Sequence, residues 1–353
     1  MHPVNSLPHA ARLPALDGLR AVSILLVLFS HAWLGHLIPG GLGVTIFFFI
    51  SGYIITRLMI SETRQYGALR LRQFYLRRVF RLMPALLVFV VAALLVMACA
   101  GVVWQWQELA SVFFYFANYF AIFIGYSGEV LPPPLSITWS LAVEEHFYMV
   151  FPFLFLALIA KPRRFLACIL SLLVLVLAWR VYLVYGVGLD QLVHYRIYKA
   201  TDTRADSILY GTALALIEAY FPRVQGYLQR PALAALGVLL LLATLVFRDE
   251  AFRESYRYSL QGIALLCLFS YAVLQPTRVQ ACLAAPLMLY IGRISYSLYL
   301  YHWLVFGMMT VWLPPLALPL RVAIMLAASL LLADLSCRWV EQPGLALGRR
   351  LLR

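Results

Sequence analysis

The chain has 353 residues, of which 63% are hydrophobic and 12% charged, and it carries a formal net charge of +13. A soluble domain holds roughly a quarter charged residues, so half that share leaves too little polar surface to face water and excludes an ordinary soluble enzyme. The excess of Lys and Arg fits the cytoplasmic loops of a membrane protein, and no zinc-finger spacing or RNA-binding motif supports a nucleic-acid partner.

A helix needs roughly 20 apolar residues to cross the hydrocarbon core. Stretches of that kind are predicted near 18–37, 42–61, 83–103, 138–160, 164–186, 205–221, 231–247, 257–274, 287–312 and 317–340. Within the first, the apolar run Ala21 to Leu34 follows Arg12 and Arg20 but lacks a convincing small-residue cleavage site, so it reads as an uncleaved span rather than a signal peptide. An aromatic-rich stretch at 109–124 is ambiguous, and charge decides it. The segment Arg57 to Arg81 holds seven arginines and belongs in the cytoplasm. Lys161, Arg163 and Arg164 join it there only if 109–124 does not cross. Arg223, Arg230, Arg278, Arg349, Arg350 and Arg353 then fall on the same side. The expectation is an all-α, polytopic transmembrane bundle of about ten spans, with both termini cytoplasmic. It forms a single integral-membrane domain over 1–353, with the Pro132–Pro133–Pro134 loop and the polar stretch 187–204 on the far side. Cys99, Cys168, Cys267, Cys282 and Cys337 form no C-x-x-C pair, so neither a disulfide framework nor a zinc site is expected.

Ionisable groups inside a membrane are expensive and mark candidate functional sites. In the first span, Asp17 and Arg20 are three residues apart and can pair. His31 lies three turns beyond Arg20 on the same stripe, ~16 Å deeper; it is either a packing histidine or a functional one. Gly40, Gly41 and Gly43, then Phe47 to Tyr53 with Ser51, suit close helix packing or a narrow cavity. Arg70, Arg72, Arg77, Arg78 and Arg81 exceed what topology asks for. Guanidinium groups match phosphate oxygens, so an anionic cytoplasmic ligand such as CoA, or an anionic lipid headgroup, is expected there. The stretch at 138–160 opens with Trp139-Ser140-Leu141-Ala142-Val143-Glu144-Glu145-His146-Phe147-Tyr148. Adjacent residues point about 100° apart, so Glu144 and Glu145 should have different roles, with Arg20, Arg180 and Arg293 as candidate partners. Asp202-Thr203-Arg204-Ala205-Asp206 and Gly292-Arg293-Ile294-Ser295-Tyr296 through His302 repeat the theme, and Asp334 and Glu341 close the set.

These clusters, in this order, resemble the acyltransferase family 3 proteins of bacterial membranes, the O-antigen acetylase type. The resemblance is carried by LDGLRAVSILLVLFSHAW (16–33), GVTIFFFISGYIIT (43–56), FYLRRVFRLMPA (74–85), TWSLAVEEHFY (138–148), DTRADSILYG (202–211), GRISYSLYLYH (292–302) and WVEQP (339–343). It implies transfer of an acyl group, commonly acetyl, from cytoplasmic acyl-CoA to a hydroxyl of an envelope glycan or related acceptor, by a multi-pass protein of the cell inner membrane. It places the catalytic set on Arg20, His31, Glu144 and Glu145, to which the pairing of Asp17 with Arg20 adds Asp17, and CoA binding on Arg77, Arg78 and Arg81. The cavity around the acceptor or acyl group is expected to draw on Ser51, Tyr53, Trp139, Tyr148, Arg204, Asp206, Arg293, Tyr296 and His302. No metal is expected, and no soluble esterase-like domain is expected after the last span. The expected mechanism has neutral His31 as general base on the acceptor hydroxyl, with a covalent intermediate on His31 or Ser51 as the second route. The rival class is a proton-coupled transporter with a buried His/Glu relay, which leaves the arginine-rich segment unexplained.

Overall fold

A computed structural model describes residues 13–352 apart from 129, so Arg12 and Arg353 lie outside the described residues. Among the described residues the fold is entirely helical. Helix α1 (Pro14–Phe29) starts with proline at its first position, where the missing N–H costs nothing. It does not run on regularly to residue 37. A wider π-helical turn occupies Ser30–Leu34, and Trp33 turns back with φ 61°. The regular stripe expected to carry Arg20 and His31 therefore ends just before His31.

Helices α2 (Gly40–Tyr66) and α3 (Leu71–Cys99) extend well beyond the apolar runs that flag them. The arginine-rich segment is thus mostly helix rather than loop. Arg, Gln, Glu and Leu are good helix formers, and Gly67, with φ 74°, is the stop between the two helices. The stretch 109–124 divides into α4 (Trp106–Phe113) and α5 (Ala117–Phe123), separated at Tyr115 with φ 57°. Each is about 12 Å long at most, too short to cross a bilayer.

Next come α6 (Trp139–Leu158), α7 (Pro162–Tyr182), α8 (Gln191–Lys199) and α9 (Thr201–Tyr220). The carboxylate of Asp190 caps α8 by accepting from the Val193 N–H at 2.7 Å. Then follow α10 (Pro222–Leu228), α11 (Pro231–Val246), α12 (Glu250–Ser255), α13 (Arg257–Ala272) and α14 (Arg278–Leu283). The predicted span 287–312 is not one helix: α15 (Pro286–Arg293) and α16 (Ser295–Trp312) meet at Ile294. The chain closes with α17 (Leu318–Ser336), a π-helical turn at Cys337–Glu341, and α18 (Gln342–Leu351).

Six helical stretches among the described residues are long and apolar enough to cross a membrane, seven if the pair Pro222–Leu228 and Pro231–Val246, bent by 62°, counts as one. The predicted stretches at 205–221, 257–274 and 287–312 are helical too, but shorter or more polar. Large apolar side chains stand exposed in rows, as Val88, Val91 and Leu95 on α3 and Leu170 and Val174 on α7. Rows of this kind suit a lipid surface, and the chain is a multi-pass membrane protein.

Helices α2 and α9 meet backbone to backbone. A Cβ on Gly52 would sit 1.9 Å from the Ile208 carbonyl oxygen, and one on Gly211 would sit 1.9 Å from that of Phe49. Small residues allow this approach, and backbone cannot step aside as a side chain can. Gly52→Val is expected to destabilise the protein by about 3 kcal/mol, the upper end of ordinary overpacking. Thermal unfolding followed by fluorescence-detected size exclusion would show it as early aggregation.

Contacts sort the basic segments to one end of the bundle. Arg64 Nη2 donates to the Ala219 carbonyl at 3.0 Å. Lys161, Arg163 and Arg164 share a surface hollow with Tyr220 and Phe221. Arg349 shares a cavity mouth with Arg70 and Arg77. The opposite end carries the Pro-rich loop, which Trp303 holds through its Nε1–H to the Pro133 carbonyl at 3.0 Å.

Candidate active site

A cavity of about 770 Å³ opens at the arginine-rich end, between α2, α3 and α18, and runs inward to α1, α6 and α16. Seven arginines and three glutamates line it, so its wall is strongly positive. At the mouth, Glu62 gathers two of the arginines: Arg70 Nε lies 3.3 Å and Arg77 Nη2 2.5 Å from its carboxylate. Deeper, the Arg78 guanidinium sits 3.2 Å over the Tyr148 ring. Its Nε is buried and has no partner among the described residues. Arg20, Arg81 and Arg293 complete the positive inner wall. Asp17 lies within electrostatic range of Arg20.

At the level of Arg20, Ser51 on α2 donates to Glu144 on α6 at 2.5 Å. The two adjacent glutamates do separate, as the helical turn requires. Glu144 lines the cavity, whereas Glu145 does not, and its Oε1 is buried without a partner among the described residues. Glu341 lines the cavity and accepts from Ser297 in a very short contact. Tyr296, also on the wall, ties α16 to α3 through its hydroxyl to the Leu82 carbonyl at 3.1 Å.

Phe47, Ser140 and Tyr299 line the part of the wall nearest the His31–His302 pair. The Tyr299 hydroxyl is pinned by Ser140 at 2.6 Å and donates to the Ile137 carbonyl at 3.2 Å. Its ring neighbours both Phe47, at 6.3 Å between centroids, and His302, at 5.7 Å. His31 and His302 do not line the cavity; they lie together behind that wall, with Nδ1 of His31 2.9 Å from Nε2 of His302.

The predicted site residues therefore fall into groups. Arg20, Ser51, Arg77, Arg78, Arg81, Glu144, Tyr148, Arg293 and Tyr296 share the cavity, and His31 and His302 form a second group beside it. Besides His302, four residues expected at the cavity lie elsewhere. Tyr53 faces α9, donating to Glu218 at 2.6 Å. Trp139 packs between Phe48 and Tyr198. Asp206 is the partner of Arg180, at 2.6 Å and with both side chains fully buried. Arg180 is thus not a partner of Glu144 or Glu145, because α7 packs against α9 and turns Arg180 that way. Arg204 donates to Thr45 at 3.0 Å and lies 4.0 Å over the Tyr258 ring.

The model of a family described as an acyltransferase domain, acyltransferase family 3, matches residues 13–338. The chain belongs to that family. Acyltransferase 3 relatives include the peptidoglycan O-acetyltransferase OatA of Listeria monocytogenes, 31% identical over 356 residues that cover 94% of this chain and 55% of the relative. The O-acetyltransferase OatA of Staphylococcus aureus is 29% identical over 346 residues, again 94% of this chain and 57% of the relative. The chain spans little more than half the length of these curated relatives. No solved structure matches it. Membership places the chain in a family of acyltransferases.

Three wall residues of this acyltransferase 3 family member were not read as site residues in the sequence: Glu62, Tyr299 and Arg349. Glu62 had a usable signal, as the one acid among the seven arginines of 57–81. Tyr299 reads as part of an aromatic belt and Arg349 as a topology charge, so neither stands out.

Proposed function

We propose that the protein takes acetyl-CoA from the cytoplasm and transfers the acetyl group to a hydroxyl of an envelope glycan, peptidoglycan being the acceptor class that a relative's name suggests. The arginine-lined cavity supports this reading most directly. Its positive wall suits a donor that carries a diphosphate and a further phosphate at one end and an uncharged thioester at the other. Arg70, Arg77, Arg78 and Arg349 meet the phosphates near the mouth, and the pantetheine arm follows the aromatic inner wall toward Phe47 and Tyr299.

The basic end of the bundle faces the cytoplasm. This orientation, in about ten spans with both termini inside, puts the Pro-rich loop on the far side of the inner membrane, where a glycan acceptor is met. His31 lies between the two. Neutral His31 takes the proton of the acceptor hydroxyl as its oxygen attacks the thioester carbonyl carbon. The C–S bond breaks, and the departing CoA thiolate receives that proton. For the thioester and His31 to meet, Phe47 and Tyr299 must turn aside.

A second route is favoured by one contact, the 2.5 Å bond from Ser51 to Glu144 inside the cavity. Glu144 takes the Ser51 proton, Ser51 accepts the acetyl group with loss of CoA, and the acceptor removes it in a second step. An acetyl group on Ser51, seen by mass spectrometry after reaction with donor alone, distinguishes the routes.

Calorimetric titration of the purified protein with acetyl-CoA tests the donor site. Arg78→Ala should weaken binding roughly 10- to 100-fold, the worth of a charged hydrogen bond. Raising salt should weaken the wild type as well. Absence of acetyl-CoA binding to the folded wild type would sink the reading. Solute uptake by proteoliposomes without CoA release would put a transporter in its place.

A further inference from the structure

The histidine pair behind the cavity holds more information than proximity. The planes of the two rings differ by 12°, and their centroids are 5.2 Å apart. Nδ1 of His31 and Nε2 of His302 are 2.9 Å apart. The centroid spacing exceeds the nitrogen–nitrogen distance by about one ring diameter, the most that two rings can contribute. Both nitrogens must then lie on the line of centres. Near-parallel rings that share that line are coplanar and meet edge to edge, the geometry in which an N–H points straight at an in-plane lone pair.

The far nitrogen of His302 decides which ring donates. His302 Nδ1 lies 3.0 Å from the Leu298 carbonyl oxygen, one turn back on α16. A carbonyl oxygen can only accept, so Nδ1 carries the hydrogen. A neutral imidazole has one N–H, so Nε2 of His302 is bare and accepts. His31 Nδ1 is then the donor, and His31 Nε2 is left with the free lone pair. His302 is fully buried, and the neighbouring Trp303, which packs on His31 at 4.8 Å between centroids, is itself anchored to the Pro133 carbonyl.

We infer that His302 is a positioning residue: it reads the Leu298 carbonyl with one nitrogen and with the other fixes the tautomer and ring orientation of His31, so that Nε2 is the basic atom. The inference rests on His31 being the base. When His31 Nε2 takes the acceptor proton, the new positive charge is shared with an Nδ1–H already directed at the His302 lone pair. A carboxylate does this for the histidine of serine hydrolases; here a second neutral histidine, polarised by a backbone carbonyl, takes that place. A carboxylate would leave a buried charge in an apolar bundle. A histidine does not.

Nitrogen-15 spectra of histidine-labelled protein in nanodiscs read the tautomer without any turnover. The signals of His31, assigned by their loss in His31→Gln, should show protonated Nδ1 in the wild type. They should revert in His302→Phe to the Nε2–H form favoured by free imidazole in water, and keep the Nδ1–H form in His302→Gln, whose amide oxygen can accept. Release of CoA thiol from acetyl-CoA, with soluble peptidoglycan strands as acceptor, gives the kinetic arm. His302→Phe keeps a ring of similar size and should lower kcat on the order of 10²-fold with the donor dissociation constant unchanged within about twofold. His302→Gln should recover a large part of the loss. In a His31→Ala background, His302→Phe should add nothing. A wild-type His31 protonated at Nε2, or a fully active His302→Phe, overturns the inference. Full activity in His31→Ala would instead overturn the base reading, while the spectra still report on the pair.

Discussion

His31→Ala should lower kcat by about 10³-fold, within the range that general acid–base catalysis supplies, while acetyl-CoA binds as it does to the wild type. The separation is expected because the imidazole is not on the cavity wall; Phe47 and Tyr299 are. Truncating His31 removes no donor contact, so the loss should appear in kcat and not in donor affinity. The opposite pattern is expected of Arg78→Ala, whose guanidinium lines the cavity on the Tyr148 face. Initial rates of thiol release over a range of donor concentrations, beside calorimetry on the same samples, separate the two. A His31→Ala protein that turns over within tenfold of the wild type would show that some other group takes the proton. The Ser51–Glu144 pair would be next in line, with Ser51→Ala as its test.

Much of this was legible in the sequence because membrane helices announce themselves. Each predicted apolar stretch contains a helix; charges too expensive to leave in lipid mark Arg20 and Glu144, an excess of arginine beyond the topological need marks Arg78 and Arg81, and all four share one cavity. The separation of Glu144 from Glu145 follows from the 100° turn alone. Periodicity gives the face a residue occupies but not the helix it faces. His31 and His302 are 271 positions apart, and nothing local says that α1 and α16 lie side by side. The neighbours are chosen by fit, as at Gly52 and Gly211 between α2 and α9, and the packing of α7 against α9 sends Arg180 to Asp206. The π-helical turn at Ser30–Leu34 was equally out of sight. It depends on Trp33 packing against Phe306 and beneath Arg321, both distant in sequence.

Asp206 gives the second large effect, and it should be one of stability rather than of donor binding. All three nitrogens of the Arg180 guanidinium are engaged: it donates to the carbonyls of Ser255 at 3.0 Å and Thr203 at 2.5 Å, to Asp206 at 2.6 Å and to Ser259 at 2.5 Å. Ser259 in turn donates to Asp206 at 3.0 Å. One carboxylate thus joins α7, α9 and α13, with neither it nor Arg180 reached by solvent. Nearby, Arg204 is also fully buried, and two of its nitrogens have no partner among the described residues. Asp206→Ala would strand the Arg180 charge in an apolar bundle, and losing one member of a buried pair costs about 3–5 kcal/mol. Replacing both members with apolar residues of similar size removes the charge along with its partner and is often close to neutral. Asp206→Ala should therefore lower the unfolding temperature sharply, while Arg180→Met combined with Asp206→Leu recovers most of it. The protein that remains folded in either case should bind acetyl-CoA normally, since neither residue lines the cavity. A stable Asp206→Ala protein that has lost acetyl transfer would instead return Asp206 to the active site.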